Sequence, residues 1–178
     1  ALRERYGQTQ EAWEQALARY DERIYAKTAS LFSAATEAAA VLGNADEDQI
    51  RALREYGKLL GTGFQIIDDL LDFQGDEATM GKPVGSDLRE GIVTLPVLYY
   101  LRDNPDDDRV ARVVGKGGDD ALVAEVVAAI RGSDAIRRAR ERADGFVRRS
   151  QEALAILPEG EPRDRMAALA EYTASRRN

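Results

Sequence analysis

The stretch GTGFQIIDDLLDFQGDEATMGKPVGSDLREG, Gly61–Gly91, sets three aspartates, Asp68, Asp69 and Asp72, inside an otherwise strongly apolar run. With residues about 100° apart on a helix, Gly61, Gln65, Asp68 and Asp72 fall in one narrow stripe, with Asp69 at its edge. Leu60, Phe64, Ile67 and Leu71 flank it on one side, and Ile66, Leu70 and Phe73 on the other. A helix that is apolar nearly all round is a buried helix. An uncompensated buried charge is too costly to keep, so the stripe reads as the lining of a cavity that holds cations. Asp68 and Asp72 stand at i and i+4 and repel by roughly 0.2–0.5 kcal/mol on an exposed helix, more when buried. A bound divalent ion reverses that sign. Hard oxygen donors with few others nearby suit Mg²⁺, which also takes water and phosphate oxygens. A solvated helix with chance acidic residues is the bland alternative. The apolar flanks and the Gly/Lys-containing stretch that follows speak against it.

The 178 residues suffice for one domain with a real core. With 44% hydrophobic and 32% charged residues the chain is globular, and its net charge of −7 argues against nucleic acid as a main partner. There is no cysteine, which excludes disulfides, thiol chemistry and Cys-ligated metal, and no histidine, which removes the commonest general base and usual zinc ligand. Chemistry must run on carboxylates, Lys, Arg, Thr, Gln, Tyr or a metal ion. No apolar run reaches membrane-spanning length and no secretory signal is visible, so a cytoplasmic protein is expected. The chain opens on Ala in mid-pattern, as a truncated piece would.

Residues 10–42 read as one long helix or two nearly collinear ones, with Trp13, Leu17, Tyr20, Ile24, Thr28, Leu31 and Ala35 facing inward. Lys27 is either a snorkelling surface lysine or a cation pointing into the aspartate cavity to bind an anion. Thr28 is a core threonine bonded to its own helix or a part of that cavity. Gly43-Asn44 ends this helix, and Asp46 or Asp48 caps the central one, about 47–75. Gly61 and Gly63 cost helix stability but admit a close backbone or ligand. Residues 75–92 read as a long loop carrying Lys82, Asp87 and Arg89; a plain linker explains its glycines but not a lysine just after an aspartate cluster. Thr94 is expected to cap a helix with Pro96 in its first turn. Asp106–Asp108 reads as a helix-start cluster rather than a second acidic motif. Further helices are expected at about 107–115, 119–131, 133–156 (Ile136, Ala139, Ala143, Phe146 or Val147, and Leu154 inward, arginines mostly solvated) and 163–176 (Met166, Leu169 and Tyr172 inward). No strand pattern appears, so the fold class is all-α.

Three blocks are specific enough to carry a resemblance. They are Tyr20-x6-Lys27-Thr28-Ala-Ser-Leu31, Gly63-Phe64-Gln65-Ile-Ile-Asp68-Asp69-Leu-Leu-Asp72, and Gly81-Lys82-Pro83-x-Gly85-x-Asp87-Leu88-x-x-Gly91-x-x-Thr94-Leu95-Pro96. Over roughly Tyr20–Leu101 they resemble the trans-isoprenyl diphosphate synthases (polyprenyl synthetases). The resemblance implies an all-helical bundle of the isoprenoid synthase type in which two Asp-rich motifs face each other across a cavity. It also implies Mg²⁺ bridging them to the diphosphate of an allylic substrate. Asp68, Asp69 and Asp72 then match the second motif and its metal site. Lys27 and Lys82 match the lysines on the allylic diphosphate, Thr28 and Gln65 match polar groups near the reacting carbons, and Phe64 matches the aromatic beside Gln65. The resemblance implies a reaction that joins an allylic prenyl diphosphate to isopentenyl diphosphate with the departing diphosphate as base, which fits a chain lacking histidine.

Asp68–Asp72 is the single Asp-Asp-x-x-Asp in the chain, and neither Arg137-Arg138 nor Arg148-Arg149 stands at the spacing of the paired arginines that follow the family's first motif. The chain therefore resembles the C-terminal part, residues 1–178, of one incomplete synthase domain whose N-terminal helices are missing. It is expected to be inactive alone and, with one side of the central helix left uncovered, to self-associate or to collapse onto its own apolar face; the full-length protein is expected to be a homodimer. The other readings are a non-catalytic subunit of a heteromeric synthase, a terpene cyclase of related fold, and a helical scaffold. Intact Lys27, Lys82 and aspartates argue against the subunit, and Lys27-Thr28 with Gly81-Lys82 argues against the cyclase.

Overall fold

A computed structural model describes residues 9–74, 84–116 and 119–176, and every regular element among them is helical. The helices are Gln10–Ile24 (α1), Ser30–Leu42 (α2), Glu47–Gln74 (α3), Ser86–Arg89 (α4), Leu95–Asp103 (α5), Arg109–Lys116 (α6), Asp120–Arg131 (α7), Ala135–Ala153 (α8) and Glu161–Ser175 (α9). A π turn, Tyr25–Ala29, joins α1 to α2, and a 3-10 turn, Leu154–Ile156, follows α8. Among the described residues no helix is long and apolar enough to cross a membrane.

Local chemistry sets the helix starts. Asp46 Oδ1 accepts from the Gln49 amide at 2.8 Å while Gln49 Oε1 accepts from the Asp46 amide at 3.3 Å, a reciprocal box that opens α3. Asp107 does open α6: its Oδ1 accepts from the Arg109 amide at 3.0 Å. Asp119 caps α7 through the Leu122 amide at 2.8 Å. Thr94 occupies the cap position of α5 with extended backbone, but its hydroxyl makes no capping bond, contrary to expectation. Pro96, in the first turn, already removes one of the donors a cap would serve.

The described residues form two compact units. One comprises those up to Tyr20 and Asp68–Arg140. Its core gathers Leu70, Phe73, Leu88, Leu98, Val123 and Ile130, all buried. Trp13 packs on Tyr99 with ring centroids 5.4 Å apart, and the Arg138 guanidinium lies 4.3 Å over Tyr99 while pairing with Asp103 at 2.7 Å. Gly85 takes a left-handed φ of 74°, and a Cβ there would come within 2.7 Å of Val127 Cγ2, so glycine is required twice over. This turn leads directly into α4, a helical turn inside the stretch expected to be loop.

The other unit comprises the described residues of Asp21–Ile67 and Glu141–Arg177. Here α2 lies tightly on α3: a Cβ on Gly61 would sit 2.7 Å from the Ala29 Cα. The close approach lets Ser33 Oγ donate to the Arg54 carbonyl at 3.0 Å and Thr36 Oγ1 to the Leu53 carbonyl at 2.6 Å. Tyr56, Leu60, Val147, Leu154 and Ala170 form the core of this unit. The Tyr56 hydroxyl donates to the Met166 carbonyl at 2.8 Å, and burial pushes its pKa up to about 12. Arg142 pairs with Asp21 through two contacts of 2.9 and 2.7 Å, so neither Arg138 nor Arg142 is the solvated arginine expected of α8.

Two inward faces differ from expectation. Buried positions run Trp13, Ala16, Tyr20, Ile24 and then Ala29, Ser33 and Ala40, while Leu31 is 73% exposed and Ala35 is exposed. The π turn inserts one extra residue, so every position after it is rotated past the face that uninterrupted spacing predicts. On α9, Ala170 and Thr173 are buried whereas Leu169 and Tyr172 are 53% and 68% exposed. Ala170 there joins the buried cluster of Tyr56, Leu60, Val147 and Leu154. The large apolar side chains of α3 from Leu59 to Phe73 are buried or half-buried within the chain, in line with collapse onto its own apolar face. Exposed large apolar side chains lie instead at Tyr25, Leu31, Val41 and Leu42 and, further on, at Ile156, Leu169 and Tyr172.

Candidate functional site

The π turn presents Lys27 and Thr28 from its last three residues. Lys27 is exposed. Thr28 Oγ1 donates to Gln65 Oε1 at 2.6 Å, which holds the buried Gln65 amide in one orientation. Two candidates 37 residues apart in sequence are thus brought together. Phe64 is half-buried, its ring 5.6 Å from that of Phe32 and 4.6 Å from the Arg176 guanidinium. Phe32 and Arg176 were not singled out from sequence, because nothing in their spacing relates them to Phe64. Lys82 lies outside the described residues. A groove of about 400 Å³ in this unit is lined by Tyr25, Lys58, Thr62, Phe146, Arg149 and neighbouring acids, but by neither Thr28 nor Gln65.

The aspartates stand further along α3, Asp68 one turn after Gln65, and belong to the other unit. Their environments differ sharply. Asp68 is exposed, while Asp69 is 5% and Asp72 1% exposed. Asp69 Oδ2 accepts from the Tyr20 hydroxyl at 2.8 Å. Asp72 Oδ1 accepts from the Ser86 amide at 3.2 Å and the Ser86 hydroxyl at 2.8 Å, and its Oδ2 accepts from the Asp87 amide at 3.2 Å. The premise that a buried carboxylate requires a partner holds. The partners seen at Asp69 and Asp72 are protein hydroxyl and amide groups, and Ser86 covers Asp72. Among the described residues no group of three acidic side chains is arranged to hold one metal ion. The donor chemistry suits a hard cation, and the exposed carboxylate of Asp68 fits one.

Comparison with known proteins defines the class. The family model for polyprenyl synthetase matches residues 4–130, and the chain belongs to that family. The short chain isoprenyl diphosphate synthase of Methanothermobacter thermautotrophicus is 40% identical over 159 residues, 88% of this chain and 49% of that protein. The heptaprenyl diphosphate synthase component 2 of Geobacillus stearothermophilus is 40% identical over 164 residues, 92% of this chain and 51% of that protein. The crystal structure of heptaprenyl diphosphate synthase from Staphylococcus aureus superposes with a TM-score of 0.84 at 35% identity, covering 89% of this chain and 50% of that one. A polyprenyl synthase from Caulobacter crescentus, complexed with calcium and isoprenyl diphosphate, superposes at 0.83 with 35% identity, covering 96% and 51%. The all-α isoprenoid synthase architecture expected from sequence is thereby established, and the chain spans about half the length of the relatives it matches.

Proposed function

We propose that this chain is the part of a trans-isoprenyl diphosphate synthase that carries the second Asp-rich motif. Completed by the first motif, it would extend an allylic prenyl diphosphate with isopentenyl diphosphate. The observation that carries this reading is the 2.6 Å bond between Thr28 and Gln65, the two polar groups that the family pattern sets beside the reacting carbons. In this reading Gln65, held by Thr28, orients the allylic chain, and Phe64 offers an apolar face to it. Lys27 and Lys82 are ammonium donors to the diphosphate. Cations that touch the leaving group stabilise its growing charge more in the transition state than in the ground state. A divalent ion, expected to be Mg²⁺, would be held at the motif through Asp68 and would add positive charge against the diphosphate oxygens.

The two relatives named component 2 favour a second reading for the assembly, in which the active enzyme contains two different chains rather than a homodimer. In either assembly the 178-residue chain is expected to give no condensation product by itself, since it holds one Asp-Asp-x-x-Asp. Incubation of the purified chain with Mg²⁺, an allylic diphosphate and isopentenyl diphosphate tests this. Product should appear only on co-expression with a synthase N-terminal half carrying Asp-Asp-x-x-Asp and Arg-Arg; product from the chain alone would contradict it.

A further inference from the structure

We infer that the outward face of α2 is a docking surface for the half of the synthase fold that carries the first Asp-rich motif. The inference rests on the synthase reading above. On a surface helix the polar residues face water and the apolar ones face the core. On α2 that order is inverted. Ser33 and Thr36 turn inward and donate to the Arg54 and Leu53 carbonyls of α3, and Glu37 pairs with Arg54. Gly57 makes the inward contact close: a Cβ there would meet the Phe32 carbonyl oxygen at 2.5 Å. The outward positions are Leu31, Val41, Leu42 and the alanines Ala34, Ala35, Ala38 and Ala39, with no polar side chain among them. Leu42, at the far end, is 83% exposed. On helix geometry these positions fill about 160° of arc and about 16 Å of length.

Single apolar side chains on a surface need no explanation, but a contiguous apolar face marks a contact. A second copy laid along α2 would cover a strip about 16 Å by 10 Å on each chain. That is far short of the roughly 800 Å² per partner in a stable pair. A larger body that buries further surface elsewhere needs no such area at one helix. The relatives carry one. The chain matches 49% of the Methanothermobacter thermautotrophicus synthase and 50% of the Staphylococcus aureus chain, so a part as large as this chain lies outside the matched region. Leu31, which opens the face, follows Thr28 by one helical turn. A body seated there also stands beside the Thr28–Gln65 pair.

The chain has no cysteine, so one introduced thiol reports on its own position without background. The experiment labels the thiols of A38C and L42C, with E159C on the exposed segment before α9 as reference. Each is labelled in the full chain alone and in the full chain co-expressed with a tagged synthase N-terminal half. Alone, all should label at similar rates. In the co-purified complex A38C and L42C should label more slowly by about tenfold or more, because a covered thiol is reached only through opening. E159C should label as before. A38E should melt as the wild-type chain does, since the position is exposed, yet should no longer co-purify with the half. A complex in which A38C and L42C still label freely, or which A38E enters as wild type does, would overturn the docking face and leave the synthase reading standing. Slow labelling in the chain alone, with a dimer that A38E converts to monomer, would place a second copy on the face and overturn it as well. Should A38E fail to fold, the labelling of A38C and L42C decides. If the pair gave neither a complex nor condensation product, the docking face and the synthase reading would fall together.

Discussion

Asp107 shows at single-residue scale what this chain does with a carboxylate it keeps for structure. Arg109 donates to both its oxygens, Tyr100 donates to it at 2.5 Å, and the Arg109 amide adds a fourth donor. The Arg109 hydrogen bonds are the largest cause that holds its carboxyl well below the usual carboxylate range. A carboxyl depressed in the folded state stabilises the fold above its unfolded value, near 4, and that contribution is lost as pH falls through the folded value. D107N should therefore cost about 1–3 kcal/mol at neutral pH and flatten part of the acid limb of the stability profile. Denaturant unfolding from pH 7 to pH 2 checks this; an unchanged acid limb in the variant would contradict it. Residues of this kind were legible in sequence, since a cluster of Asp after Asn104-Pro105 needs only a few residues of context. The Tyr20–Asp69 bond was not legible. Its members are 49 residues apart, and the wheel that put Asp69 at the edge of the stripe knows nothing of α1.

At the scale of elements, sequence periodicity recovered the longer helices and most of their ends but neither α4 nor two rotations. Regular spacing places Leu31 and Ala35 inward, and the π turn Tyr25–Ala29 undoes that by one residue. No residue type marks such a turn, because Tyr-Ala-Lys-Thr-Ala suits an α-helix equally well. On α9, spacings through Leu169 or through Ala170 are both helical, and the packing of Ala170 with Tyr56, Leu60, Val147 and Leu154 decides between them. That something approaches α3 closely at Gly61 was legible, because a glycine inside a long helix costs stability unless a neighbour exploits the missing side chain; that the neighbour is the π turn and the start of α2 was not. G61A should therefore destabilise by about 1–3 kcal/mol through overpacking, despite the better helix propensity of alanine. A melting temperature at or above wild type would mean that α2 does not rest on Gly61 as the 2.7 Å approach to the Ala29 Cα requires.

For the whole molecule, family and all-α class were legible because three blocks of motif survive in order over less than half of the chain. The burial of Asp69 and Asp72 was not, because it depends on Tyr20 and Ser86 rather than on the spacing of the aspartates. The central proposal is that Lys27 serves a diphosphate and Asp68 a divalent cation. Titration of inorganic diphosphate into the full chain, with and without Mg²⁺, tests it most directly. Uptake should require Mg²⁺ and weaken by about tenfold or more, roughly 1.4 kcal/mol, in D68N and in K27A. Binding that is indifferent to Mg²⁺, or equal in wild type and both variants, would contradict it.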